Sequence, residues 1–299
     1  MDEDQLARVR HFNRAVTRRI GVLNDNYLGR GRPLGEARVL FEIGCDGIEV
    51  RALRARLALD SGYASRLLRA LEAQGLIRCR PDAEDRRVRR ATLTAKGRRE
   101  VDALDRRSQD AAEALLASLG ARQRERLVAA MDEVERLMRA AAVTVAQADP
   151  SGPEARRCIA AYLDELNRRF ENGFDPAQSV SAEPDELAPP AGWFVLAHLD
   201  GEAVGCGGLK VHGRDGEIKR MWVAPQARGL GVAQRLLENL EARAAELRLK
   251  RLRLDTHCSL VEAHALYRRN GYAEIPAYND NLYAHHWFEK VIGSGKKRA

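Results

Sequence analysis

Glu217-Ile218-Lys219-Arg220-Met221-Trp222-Val223-Ala224-Pro225-Gln226-Ala227-Arg228-Gly229-Leu230-Gly231-Val232-Ala233 is the stretch that decides the fold of the second half of the chain. Gly216 to Val223 reads as a strand that meets Pro225, and Gly229 to Leu247 as the helix that follows. Glycines at the start of that helix let backbone N–H groups approach an anion, and the helix N-terminus adds partial positive charge. A pyrophosphate is the guest such a turn suits. One Gly-x-Gly is weak evidence, and a tight turn without a ligand explains the same residues. There is no Gly-Lys-Ser/Thr as in nucleotide P-loops and no Gly-x-Gly-x-x-Gly dinucleotide fingerprint.

The neighbouring patterns supply the rest of a domain. Trp193 to Leu199 and Ala203 to Lys210 flank Asp200-Gly201, a hairpin signal. Arg251 to Asp255 reads as a strand, Val261 to Asn270 as a helix closed by Gly271, and Tyr272 to Ile275 begins another strand. Upstream, Val143 to Ala146 is a short strand, Pro153-Glu154 opens a helix through Phe170, and a Pro-rich stretch to Pro190 reads as a long surface loop able to cover a site. Strands first, then strand and helix in alternation, make an α/β layered domain. The boundary is expected near residue 141, giving domains 1–141 and 142–299.

The first domain reads as mainly helical. Leu6, Val9, Phe12, Val16, Ile20 and Leu23 recur every three or four residues, predicting an amphipathic helix from Gln5 to about Tyr27. Glu36 to Gly44, Val50 to Leu57 and Ser61 to Gln74 follow as shorter helices, the last two joined by Ala58-Leu59-Asp60 as in a helix-turn-helix. Asp60 or Ser61 can cap the second of these, and Gly75 stands where a left-handed stop is wanted. Its Ala64, Leu67, Leu68 and Leu71 form one stripe, leaving Gly62, Ser65, Arg66 and Arg69 opposite. Leu76 to Arg80 and Val88 to Thr94 are two strands around a charged turn, a wing. Ala95 to Leu119 and Ala121 to Ala142 are long helices whose apolar sides predict a dimer interface rather than an intrachain bundle.

Composition fits this division. At 299 residues, 45% hydrophobic and 31% charged, the chain is in the range of two globular domains. No run is long and apolar enough for a membrane span, and Met1-Asp2-Glu3-Asp4 is the wrong charge for a secretory or mitochondrial leader, so a cytoplasmic protein with no membrane partner is expected. Residues 1–140 hold 29 of the 50 Lys+Arg and 22 of the 43 Asp+Glu, a net of +7, while residues 141–299 hold 21 of each. The excess positive charge therefore belongs to the first half. From Arg78 to Arg99 there are nine basic residues, eight of them arginine, which suits phosphate forks and narrow minor grooves. A recognition helix fits the major groove, so Ser61, Ser65, Arg66 and Arg69 are expected to meet double-stranded DNA; a solvated basic face is the bland alternative.

This first half resembles the MarR family of dimeric winged-helix transcription regulators. The resemblance covers about residues 5–140 and rests on Ser61 to Ile77, the wing Asp85-Arg86-Arg87, and Leu93-Thr94-Ala95-Lys96-Gly97. It implies a homodimer on a pseudo-palindromic operator. Arg86 and Arg87 are the implied wing contacts, with Asp85 and Arg87 in the places of the acid–arginine pair that fixes the wing tip.

From about Val143 to Val291 the chain resembles the GNAT family of acetyltransferases. Gln226, Gly229 and Gly231 satisfy that family's pyrophosphate motif, which implies that Gln226, Arg228, Gly229, Leu230, Gly231, Val232 and Ala233 hold acetyl-CoA as co-substrate. Met221 and Val223 match the strand end that pairs with the pantetheine arm. Ala263 to Tyr272 resembles the later segment in which a tyrosine lies near the thioester sulfur, here Tyr267. Many members carry Asn seven residues before that tyrosine, where this chain has Leu260. The fold implied for the whole is a mainly α winged helix-turn-helix followed by an α/β acyl-CoA fold with a mixed sheet.

Acetyl transfer to an amine needs a proton acceptor and stabilisation of the oxyanion and departing thiolate. Glu217 matches the family's usual base position, acting directly or through water, and Tyr267 would protonate the sulfur. Glu217 paired with Lys219 or Arg220, and Tyr267 as core packing, are the structural alternatives. The acceptor expected is a small amine or amino acid. Two rivals stand beside this reading, a regulator that senses acyl-CoA without turnover and a protein lysine acetyltransferase. No metal is expected: Cys45, Cys79, Cys158, Cys206 and Cys258 form no Cys-x-x-Cys pair, and His285-His286 is adjacent rather than spaced as a ligand pair. His257 and Cys258 sit at a strand's C-terminal end with no evident triad partner. Tyr278 to Tyr283, with the loop Phe170 to Pro190, is expected at the acceptor pocket, though a structural turn explains it nearly as well.

Overall fold

Helix caps and glycines set the element boundaries throughout the computed structural model, which describes residues 2–82, 85, 87–180 and 182–292. Two units make up the chain, divided at Ala129/Ala130. Among the described residues no helix is long and apolar enough to cross a membrane.

In the first unit, α1 (Glu3–Ile20) begins where the Asp2 side chain accepts the Asp4 N–H and ends at Gly21, φ 74°. The expected extension to Tyr27 does not occur, because left-handed Gly21 turns its N–H back onto the Thr17 and Arg18 carbonyls and closes the helix. No residue of α1 is buried within the single chain. α2 (Leu34–Ile43), β1 (Ile48–Glu49), α3 (Val50–Arg56) and α4 (Ser61–Ala73) follow. Asp60 is the α4 cap, its carboxylate accepting the Tyr63 N–H at 2.8 Å, and Ala64, Leu67, Leu68 and Leu71 are the buried stripe. β2 (Ile77–Pro81) and β3 (Arg89–Leu93) pair antiparallel, with β1 on the far side of β3.

α5 (Ala95–Ala117) starts at Thr94, whose hydroxyl accepts the Gly97 N–H at 3.0 Å. A Cβ at Gly97 would lie 2.0 Å from the Leu76 carbonyl oxygen, so only glycine lets the helix reach the foot of the wing. Glu100 of α5 then fastens the segment before α2. It accepts from Arg30 at 3.1 and 2.6 Å and from Arg32 at 3.1 Å. The Arg30 hydrogen bond holds the Glu100 carboxyl below its usual range against the opposing effect of burial. α6 (Ala121–Ala142) contains the point of division and, like α1, buries no residue.

The second unit adds β4 (Thr144–Gln147), α7 (Pro153–Arg169), β5 (Gly192–Leu199), β6 (Glu202–His212), β7 (Asp215–Val223), α8 (Val232–Glu246), β8 (Arg251–Thr256), α9 (Val261–Arg269), β9 (Ala273–Ile275) and β10 (His286–Val291). The mixed sheet runs β4-β5-β6-β7-β8-β10-β9, with β7 and β8 the parallel pair. Asp200 (φ 54°) and Gly201 (φ 81°) form the expected hairpin turn. β10, which sequence reading did not anticipate, inserts between β8 and β9 and buries Phe288. The 170–190 segment is more than a surface loop, since Ala182 and Leu187 are buried in a small core with Phe194 and Leu196.

Two irregularities of β7 open the site. Its parallel pairing with β8 ends at Glu217 opposite Arg253. On its other edge the register passes from Lys219 opposite Gly208 to Trp222 opposite Cys206, so Arg220 and Met221 together face Gly207. This is a β-bulge, and Arg220 holds φ 58° within it. Beyond Glu217, β7 and β8 no longer pair with each other, and cavities occupy the gap.

Candidate active site and nucleic-acid interface

In the second unit, a cleft of about 800 Å³ lies between α7, the end of β7, the start of α8, and α9. Met221, Val223, Arg228, Gly229, Gly231, Val232 and Ala233 line it. Gln226 is exposed in the turn Pro225–Ala227, and Leu230 is buried in the core; neither side chain is on the cleft wall. Gly229 (φ 77°) and Gly231 (φ 75°) hold left-handed backbone that side-chain-bearing residues rarely adopt. No side chain caps the N-terminus of α8. The orphan N–H groups of its first turn and the left-handed glycines before it form a cradle that suits a pyrophosphate.

Arginine side chains border this cleft, held by a carboxylate that sequence reading missed. Glu165 of α7 accepts from Arg228 at 2.5 Å and from Trp222 Nε1 at 2.9 Å, and pairs with Arg169 at 3.4 Å. Burial pushes the Glu165 carboxyl up, but the bonds from Trp222 and Arg228 outweigh it and hold the group below its usual range.

A second cavity, of about 100 Å³, opens on the other side of the β7 bulge. Phe170, Phe174, Val180, Ala182 and Tyr283 give it an apolar wall, while Lys219, Asp255 and His257 supply polar groups. The Phe174 and Tyr283 rings lie 4.8 Å apart, and Phe170 stacks on His257 at 3.8 Å. Thus parts of the 170–190 loop meet Asn281 and Tyr283 there. Six residues line both cavities: Tyr162, Leu166, Met221, Leu260, Ala263 and Tyr267. They mark the point where contents of one cavity can reach those of the other. Tyr267 is buried, and burial followed by the proximity of Tyr162 raises its hydroxyl pKa, leaving it a protonated donor at neutral pH. Tyr162, unforeseen from sequence, is likewise pushed up to about 12 by burial.

Glu217 lies just behind this junction and lines neither cavity. It is 7% exposed, pairs with Lys219 at 2.9 Å, and accepts the Tyr278 hydroxyl at 2.8 Å. Lys219 also contacts Asp255 at 3.2 Å, which accepts from Asn279 at 2.6 Å. Two carboxylates therefore share one ammonium, and Asp255 is the carboxylate of the cluster that lines the second cavity, beside Lys219. Its position near the end of β8, where sites gather in α/β sheets, was the available signal.

In the first unit, Ser61, Ser65, Arg66 and Arg69 are all exposed on the face of α4 opposite its buried stripe. Arg69 is steadied by a bond to the Ser65 carbonyl at 3.2 Å, and Arg66 lies over the Tyr63 ring. On the wing, Arg87 pairs with Asp85 at 3.2 Å while its side chain stays 91% exposed. The Arg87 hydrogen bonds hold the Asp85 carboxyl below its usual range. Arg86 lies outside the described residues.

Known proteins match each unit separately. The chain is 33% identical to an IAA acetyltransferase of Azospirillum brasilense over 134 residues, 44% of this chain and 85% of the relative. It is 30% identical to the uncharacterized N-acetyltransferase YjgM of Escherichia coli over 143 residues, 42% of this chain and 85% of the relative. A solved structure of a mutant MarR from Escherichia coli is 23% identical, with a TM-score of 0.38, over 42% of this chain and 94% of that one. The model of the MarR family matches residues 30–88, and that of the acetyltransferase (GNAT) family matches residues 159–272. The chain belongs to the GNAT acetyltransferase family through its second unit.

Proposed function

We propose that the protein is a DNA-binding regulator whose second domain transfers acetyl from acetyl-CoA to the amine of a small molecule or amino acid. The junction of the two cavities at Met221 and Tyr267 carries this reading. The α8 N-terminus and Gly229 and Gly231 hold the pyrophosphate, and the edge of β7 that no longer pairs with β8 receives the pantetheine arm. Acetyl-CoA supplies an activated thioester. The Glu217–Lys219–Asp255 cluster draws the acceptor's ammonium inward and takes its proton, with Asp255 adjacent to the amine and Glu217 sharing the charge through Lys219. The backbone at Met221, outside the regular ladder, stabilises the carbonyl oxygen as the amine nitrogen bonds to the acyl carbon. As the carbon–sulfur bond breaks, the Tyr267 hydroxyl gives its proton to the sulfur, and the second proton that the nitrogen sheds on becoming an amide returns through solvent to the tyrosinate.

The first domain acts as a homodimer. Ser61, Ser65, Arg66 and Arg69 enter the major groove of a pseudo-palindromic operator, with Arg86 and Arg87 along the wing. Thiol release from acetyl-CoA across a panel of amines and amino acids tests the enzymatic reading. Turnover on one acceptor that collapses in Glu217→Gln and Asp255→Asn, with acetyl-CoA binding retained, supports it. Tight acetyl-CoA binding without turnover on any amine overturns it in favour of an acyl-CoA sensor.

A further inference from the structure

Four of the chain's seven histidines, His257, His264, His285 and His286, gather beside one another where β8 gives way to α9 and where β10 begins. His257 and His285 meet edge to face with ring centroids 4.5 Å apart, and His264 and His286 form a tilted pair at 4.5 Å. Backbone pairing brings the first two together, since the His285 N–H donates to the Thr256 carbonyl at 3.0 Å. Cys258 completes the group. Its Sγ is 3.8 Å from His257 Nδ1, and one ligand atom each from His257, Cys258 and His285 lie within 4.8 Å of one another.

We propose that His257, Cys258 and His285 form a binding site for a borderline-soft divalent ion of the zinc class at the rim of the acceptor cavity. Bond lengths of about 2.0–2.1 Å to nitrogen and 2.3 Å to sulfur put tetrahedral donors about 3.4–3.7 Å apart. The sulfur–nitrogen separation of 3.8 Å lies just outside that range, and Cys258 and His285 are exposed, so small side-chain rotations bring the three donors within it. Two imidazoles and one thiolate favour zinc over hard cations. The His257 ring is held by stacking on Phe170 at 3.8 Å, and its Nδ1 accepts the Ser259 N–H at 3.1 Å, a bond that coordination at Nδ1 replaces. Three protein donors leave a fourth position open, and His257 itself lines the acceptor cavity. A bound ion would tie the turn after β8 to the segment before β10, two of the cavity's walls.

The test is titration of the untagged, reduced full-length chain with Co²⁺. One equivalent per chain is expected, with thiolate-to-cobalt charge-transfer absorption that disappears as Zn²⁺ is added. Cys258→Ser removes that absorption, and His285→Ala weakens binding by at least about tenfold. Both substitutions are at exposed positions, and unchanged circular dichroism shows the fold is kept. Cys45→Ser, at the other exposed cysteine, leaves binding intact. Absence of stoichiometric binding, or an absorption that survives Cys258→Ser, overturns the proposal.

Discussion

Lys219→Met isolates the ion cluster behind the proposed reaction centre. Lys219 bridges Glu217 at 2.9 Å and Asp255 at 3.2 Å, and the three side chains are 8–9% exposed. At an effective dielectric of about 20, each contact carries about 5–6 kcal/mol of gross Coulomb attraction, most of it offset by the cost of desolvating the charges. Methionine keeps the volume but leaves two carboxylates facing each other without a cation, and breaking a buried pair in this way costs about 3–5 kcal/mol. With a urea dependence of about 2 kcal/mol per molar, the unfolding midpoint falls by about 2 M. Trp193, Trp222 and Trp287 are the chain's three tryptophans and all lie in the second unit, so tryptophan fluorescence reads this unit alone. A deficit under about 1 kcal/mol refutes the cluster's place in the fold.

Other substitutions probe separate parts of the argument. Glu100→Gln weakens bonds to two arginines and destabilises the first unit by about 1–3 kcal/mol at pH 7. Because the folded pKa of Glu100 is depressed, its contribution is present above the unfolded carboxylate range and lost as pH falls through the folded pKa, so thermal unfolding of wild type and variant converges in acid. Gly231→Ala forces a left-handed backbone on alanine at a cost of about 1–2 kcal/mol and disturbs the anion cradle. Calorimetric titration should show weaker acetyl-CoA binding, and unchanged affinity counts against the cradle. Arg66→Ala removes one phosphate or base contact; the slope of log affinity for duplex DNA against log salt falls by about 1 if the contact is to phosphate. An unchanged slope together with unchanged affinity excludes Arg66 from the interface.

The architecture was legible wherever it depended on local pattern. The helix pair Val50–Arg56 and Ser61–Ala73, the wing strands and the hairpin at Asp200-Gly201 all follow from spacing and turn chemistry. The end of α1 was misread because Leu23 continues the apolar period, while the deciding event is the left-handed turn at Gly21. β10 was missed because His286 to Val291 alternates weakly and gains its place only by pairing with β8 and β9. The site shows the same division. The glycine turn is a local motif, and its backbone conformation could be expected. Asp255, Tyr162 and Glu165 are ordinary residues in their own segments and acquire meaning only through Lys219, Tyr267 and Arg228. His257 and His285 are 28 positions apart, so the ladder between β8 and β10 had to be known before they could be seen as neighbours.

The most direct test of the central claim is acetyl transfer under saturating acetyl-CoA and amine, comparing wild type with Tyr267→Phe. The account predicts turnover by wild type and a fall in kcat of about 10²–10⁴ in the variant, with acetyl-CoA affinity essentially unchanged, as loss of a proton donor acting only in the transition state requires. Equal kcat in both proteins would contradict the role of Tyr267 where the two cavities meet, and no transfer by wild type to any amine would contradict the enzyme itself.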